Sequence, residues 1–221
     1  MRSRFAIFLR LMISLVLLIG LLFGSAGRWD LPFFWAYIGA YLLVVATCLP
    51  RIDPELLQER LQPRPGGKDR HLRLLGLPFF TAHIVVAGLD AGRFHWSGAV
   101  PMAVQIGGLV GCVLPLGLTV WAMAVNRFFS PVVRIQEERG HHLITTGPYQ
   151  FVRHPGYAGL ILAYLSSGPA LGSWWSMIPM TGWILLLLRR TLVEDRFLRE
   201  NLAGYADYST RVRSRLLPGI W

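Results

Sequence analysis

Gly140-His141-His142-Leu143-Ile144-Thr145-Thr146-Gly147-Pro148-Tyr149-Gln150-Phe151-Val152-Arg153-His154-Pro155-Gly156-Tyr157-Ala158-Gly159 is neither lipid-like nor plain basic surface. It crowds prolines, glycines, histidines and tyrosines between two apolar runs. Thr146-Gly147-Pro148 reads as a turn. His154-Pro155 reads as a helix start, because a residue before proline stays extended and proline suits the first helical position. Polar groups gathered at the mouth of an apolar helix point to a site.

Around this stretch the chain is built for lipid. Of 221 residues, 53% are hydrophobic and only 15% are charged, against about 25% charged in a soluble domain. The expected fold is all-α: a polytopic helical membrane protein of about six membrane helices, with a C-terminal helical hairpin. The first run, Phe5 to Phe23, follows Arg2 and Arg4 and precedes Gly24-Ser25-Ala26-Gly27. That pattern suits a cleavable signal peptide or a membrane helix, and a helix is expected. Runs at Leu31–Leu49, Leu74–Leu89 and Val100–Val125 follow. Gly107 and Gly111 in the last have the spacing of close helix packing. Pro155–Ser167 and Ser173–Leu188, broken at Ser166-Ser167-Gly168-Pro169, form the hairpin. The second arm continues into water through Leu198, with Gly204 as its stop.

Residues 1–125 thus read as N-terminal membrane helices with a cytoplasmic loop at about 50–73, and residues 126–221 as a core. In that loop Asp53-Pro54-Glu55 opens a short helix through Leu61, whose Leu56, Leu57 and Leu61 suit a membrane surface. Pro63, Pro65, Gly66 and Gly67 form a loop after it. Cys48 and Cys112 lie in apolar runs and read as buried hydrophobes. No zinc spacing or HExxH occurs, so no metal is expected.

The net charge is +10. With six helices, Arg28 and Arg93 fall on one side, and the other 20 of the 22 basic residues fall opposite with both termini. The positive-inside rule then places the termini and the Gly140–Gly159 stretch in the cytoplasm, in an inner or plasma membrane. This placement of charge describes a membrane protein, and no nucleic-acid partner is expected.

The shared face has candidate chemistry. Glu194 sits where a helix leaves the membrane and could hold a cationic ligand; an i, i+4 pair with Arg190 explains it equally well. His154 could be a donor, a general base or a structural imidazole. Tyr205 and Tyr208, three apart on one helical face, could wall an adenine or lipid pocket or anchor at the interface.

Gly140-His141-His142-Leu143, Thr146-Gly147-Pro148-Tyr149 and Val152-Arg153-His154-Pro155-Gly156-Tyr157 resemble the signature of the isoprenylcysteine carboxyl methyltransferase family. Glu194-Asp195-x-x-Leu198, Tyr205-x-x-Tyr208 and Arg215-Leu216-Leu217-Pro218 resemble its C-terminal half. The resemblance covers roughly residues 126–221. It implies a membrane enzyme that holds S-adenosylmethionine in a cytoplasmic cofactor pocket and uses a lipophilic or lipidated acceptor among membrane lipids. It implies cofactor contacts from Leu143, Thr145, Gly147, Pro148, Tyr149, His154, Pro155, Tyr157, Glu194, Tyr205 and Tyr208. Catalytic roles fall to Arg153, Arg190 and His154, with either arginine orienting a carboxylate acceptor.

Three other classes compete. A phospholipid N-methyltransferase has a similar signature and would need a base for its amine. A sterol-type NADPH reductase usually carries Asn-Tyr-x-Gly-Glu after its His-Pro, where this chain has Gly156-Tyr157-Ala158-Gly159-Leu160. A transporter would usually carry charges in the middle of its spans. Neither the acceptor's identity nor the oligomeric state can be read from the residues.

Overall fold

The computed structural model describes residues 2–61 and 70–221, with side chains placed from residue 9 to 60 and from residue 75 onward. The expected Pro63–Gly67 loop lies outside the described residues. Eight α-helices occur among those described: α1 Arg2–Ala26, α2 Pro32–Cys48, α3 Pro54–Leu61, α4 Arg70–Leu89, α5 Met102–Val125, α6 Pro155–Ala170, α7 Met177–Asn201 and α8 Tyr205–Arg211. No strand interrupts them in that set.

Four stretches are long and apolar enough to cross a membrane: Leu9–Ala26, Pro32–Arg51, Leu75–Phe94 and Met102–Val125. Their outward faces carry large apolar side chains such as Val16, Leu77 and Leu114. On this architecture the chain is a helical integral membrane protein. The third span is longer than the apolar run suggested. Asp90–Phe94 continues α4 as a π-helical turn, and His95 ends it in the left-handed region. The hairpin arms differ from the four spans. Helix α6 has 16 residues, about 24 Å at 1.5 Å per residue, and α7 changes from apolar to charged along its length.

The hairpin turn lies later than the sequence suggested. Proline is tolerated near the end of α6, where Pro169 sits, and the helix runs on to Ala170. Gly172, at φ +69°, ends it. The Ser173 and Gly172 N–H groups return to the Gly168 and Pro169 carbonyls, each at 3.0 Å, a Schellman closure. Helix α7 likewise stops at Asn201, three residues before Gly204, whose left-handed backbone opens α8 instead.

Helix α6 packs mainly on α5, across the boundary expected at residue 125. The contact is made by small residues. A Cβ on Gly108 would strike the Ala170 backbone, one on Gly111 would strike Ser166, and one on Gly159 would strike the Pro115 carbonyl. Gly107 faces open space, so the close-packing pair is Gly108 and Gly111, not Gly107 and Gly111. Thr119 Oγ1 donates to the Gly156 carbonyl at 3.0 Å and fixes the start of α6 against α5.

The two ends of the bundle are fastened differently. At one end, fully buried Asp90 accepts from the Ser97 N–H at 2.8 Å, from Ser97 Oγ at 2.5 Å and from Ser173 Oγ at 2.5 Å. This joins the end of α4 to the hairpin turn. At the other end α3, the 126–154 segment, the charged part of α7 and the C-terminal tail converge.

Candidate active site

Pro155 is the first residue of α6, which sets His154 and Tyr157 at its opening, facing α7. The preceding turn, Gly147–Gln150, is one 3₁₀ turn. Gly147 takes φ +60°, and a Cβ there would press on Val125 and Trp121. The turn thereby buries Pro148 and Tyr149 beneath the segment.

Asp195 is the hub. Its carboxylate receives a bidentate pair from Arg153, Nε at 2.7 Å and Nη2 at 3.0 Å. Tyr205 Oη donates to it at 2.9 Å, Arg215 Nε at 3.0 Å and His154 Nε2 at 3.3 Å. Burial by itself would raise this carboxyl, but the hydrogen bonds and charges of His154 and Arg153 hold it well below the usual carboxylate range. Arg153 Nη1 donates to the Val212 and Arg213 carbonyls, both at 2.7 Å. The Arg153 and His154 N–H groups reach the Ser214 and Arg215 carbonyls at 3.0 and 2.8 Å. One arginine and one aspartate therefore bind the tail to α6 and α7. Burial, with Asp195 beside it, raises the Tyr205 phenol, which stays a donor.

One turn nearer the apolar part of α7, Tyr157 Oη donates to Glu194 Oε2 at 2.6 Å and receives Arg190 Nε at 2.7 Å. The Arg190 guanidinium also lies 5.7 Å from the Tyr157 ring centroid. Arg190 Nε also lies 3.9 Å from Glu194 Oε2, the i, i+4 ion pair that the spacing allowed, while Glu194 Oε1 makes no hydrogen bond to a described residue. Tyr208 Oη donates to the Tyr149 carbonyl at 2.6 Å, and Asn126 Nδ2 donates to Tyr149 Oη at 3.1 Å.

These groups surround a cleft of about 670 Å³, counted out to its mouth. Of the expected residues, Leu143, Tyr149, Arg153, His154, Tyr157, Glu194, Tyr205 and Tyr208 line it. Thr145, Gly147, Pro148, Pro155 and Arg190 do not; Gly147, Pro148 and Pro155 shape the backbone, and Arg190 stands behind Tyr157 and Glu194. Both tyrosines of α8 are buried, so they are not interfacial anchors. Arg153 differs from its expected role: Nε, Nη1 and Nη2 are all engaged inside the protein, so it is poorly placed to receive a substrate carboxylate.

Other walls were not expected. Phe128, Phe129, Ser130, Val132 and Arg134 approach from the segment after α5. His141 packs on Phe128 with ring centroids 4.5 Å apart, and its Nδ1 accepts the Gln136 N–H at 3.3 Å. Burial, then the nearby charges of His142, Arg134 and Arg139, lower its pKa to about 4. The sequence does show Asp195 beside Glu194, but nothing there reveals how many donors meet it. The uncommitted Glu194 oxygen, facing a cleft with aromatic walls, suits a cation joined to a flat ring system.

A family model described as phospholipid methyltransferase matches residues 103–204. The chain is 34% identical over 99 residues to a probable protein-S-isoprenylcysteine O-methyltransferase of Oryza sativa subsp. indica, covering 42% of this chain and 50% of the relative. The Oryza sativa subsp. japonica protein of that name matches equally. Protein-S-isoprenylcysteine O-methyltransferase B of Arabidopsis thaliana is 28% identical over 94 residues, covering 42% of this chain and 48% of the relative. The chain thus spans about half the length of the relatives it matches, and the family-model match takes in most of the residues that line the cleft.

Proposed function

We propose that this protein is a membrane methyltransferase that uses S-adenosylmethionine and methylates the carboxylate of a lipophilic acceptor, as the names of the plant relatives suggest. The carrying observation is Glu194: its carboxylate is held by Tyr157, faces the cleft and keeps one oxygen for a cationic ligand. In this reading residues 126–221 form the catalytic core, the N-terminal helices are its membrane scaffold, and the cleft faces the cytoplasm, consistent with the basic bias of that end.

Bound S-adenosylmethionine would supply a methyl group made electrophilic by its sulfonium. Glu194 holds the cationic part, while Leu143, Tyr149, Tyr205 and Tyr208 give walls to the rest. Asp195 and Arg153 act through the tail, keeping His154 and Tyr205 in place. Arg190, behind the cleft lining, holds the Tyr157–Glu194 pair in place. A carboxylate attacks without losing a proton, so the residues need only position and desolvate it. The engagement of His154 Nε2 with Asp195 favours this over amine methylation, which needs a base. The phospholipid methyltransferase match favours the second reading, a phospholipid amine acceptor.

The test is to give labelled S-adenosylmethionine to membranes containing the protein and extract the labelled species. Label in a base-labile methyl ester of a lipophilic acid is expected. Base-stable label in phospholipid headgroups would overturn the carboxylate assignment and support the second reading.

A further inference from the structure

Helix α3 lies outside the matched region, yet it is fastened to the wall of the cleft. Asp53 Oδ1 caps it, accepting the Glu55 and Leu56 N–H groups at 2.8 and 3.1 Å. Leu56 is fully buried, so its side chain packs into the protein and not on the membrane surface, while the Leu61 side chain lies outside the described residues.

Glu59 is 5% exposed. It accepts Ser130 Oγ at 3.0 Å and Arg134 Nε at 3.2 Å, and Arg134 Nη2 lies 3.0 Å from its other oxygen. Both partners line the cleft. Arg60 Nη1 donates to the Phe129 carbonyl at 3.2 Å, and its guanidinium lies 5.4 Å from the Phe129 ring centroid. Phe129 in turn fills the space a Cβ on Gly156 would need, and its ring lies 6.0 Å from that of Tyr157. Further out, Arg127 Nη2 donates to Glu55 at 2.6 Å.

The 126–134 segment has little regular structure to fix it. Its shape depends on what it is tied to. Charge-assisted bonds from a buried carboxylate are strong and directional ties. We infer that Glu59 is a positioning residue for the ligand site: through Ser130 and Arg134 it holds the Phe128–Arg134 wall in the shape that receives the cofactor. The inference rests on the methyltransferase reading for the ligand's identity and on geometry alone for the tie.

Glu59→Gln tests it in the full chain, in detergent or nanodiscs. Loss of the charge is expected to raise the Kd and KM for S-adenosylmethionine about tenfold, leaving kcat and the acceptor KM near wild type. Amide exchange at residues 127–134 should quicken while α5 and α6 stay protected. Glu59→Asp, which keeps the charge and leaves the Arg134–Glu138 pair intact, should retain more of the affinity than Glu59→Gln. A folded Glu59→Gln protein with wild-type exchange in that segment would overturn the inference. Failure of the wild-type protein to bind S-adenosylmethionine would instead overturn the methyltransferase reading, with exchange still deciding the tie.

Discussion

At the scale of single residues, two carboxylates side by side on α7 have opposite duties. Asp195 is saturated by donors from the segment before α6, from α8 and from the tail; Glu194 keeps an oxygen clear of such bonds. Glu194→Ala is expected to weaken S-adenosylmethionine binding roughly ten- to a hundredfold, as for loss of one hydrogen bond to a charged group, with the protein still folded. His154→Ala should also lower affinity, by loosening the Asp195–Tyr205 cluster. Calorimetry on folded protein checks both, and wild-type affinity in both would remove the site assignment. His141 gives a pH dependence with a definite sign. Its pKa falls from an ordinary value near 6.5 to about 4 in the folded protein. Between those values the unfolded chain binds the proton and the native protein does not. Stability is therefore full above about pH 6.5 and declines as pH falls toward 4. Thermal melts between pH 7 and 4.5 should show this slope, and His141→Gln should flatten it. Asp195 acts in the same direction but lower: its depressed folded pKa gives stability that is lost only below the ordinary carboxylate range, near pH 4.

At the scale of helices, small residues decide how near α5 and α6 can approach. Gly159 touches backbone, which cannot move aside as a side chain tip can. Gly159→Ala should cost about 1–3 kcal/mol, as overpacking does, while Gly107→Ala should be close to neutral. Melting temperatures of the two variants in one detergent make the comparison. Such contacts were only partly legible. The glycine spacing announced close packing, but Gly107 and Gly108 sit about 100° apart around a helix, and only the partner's position chooses between them. Proline and the hydropathy runs set most helix starts well. The late turn at Gly172 was hidden because Ser166-Ser167-Gly168-Pro169 reads as a stop, whereas its Gly and Pro lie within the last turn of α6.

Over the whole molecule, what could be read from the sequence was local. The motif residues and the α7 carboxylates stand close together in the chain or at regular helical spacing, and most reach the cleft. The contributions of α3, of the Phe128–Arg134 wall and of the tail through Arg215 depend on contacts between distant segments, and no periodicity announces those. Orientation makes a further prediction at this scale. With the cleft cytoplasmic, an impermeant thiol reagent added outside intact cells should label Trp96→Cys and spare Gln58→Cys; both native cysteines are buried. The reverse pattern would turn the protein over. The Asp90 cluster also has a mechanical meaning. It rivets α4 to the hairpin at the end remote from the cleft. Its three donors, one amide and two hydroxyls, all lie far from the ligand walls, so Ser173→Ala is expected to lower the melting temperature while ligand affinity stays as it was.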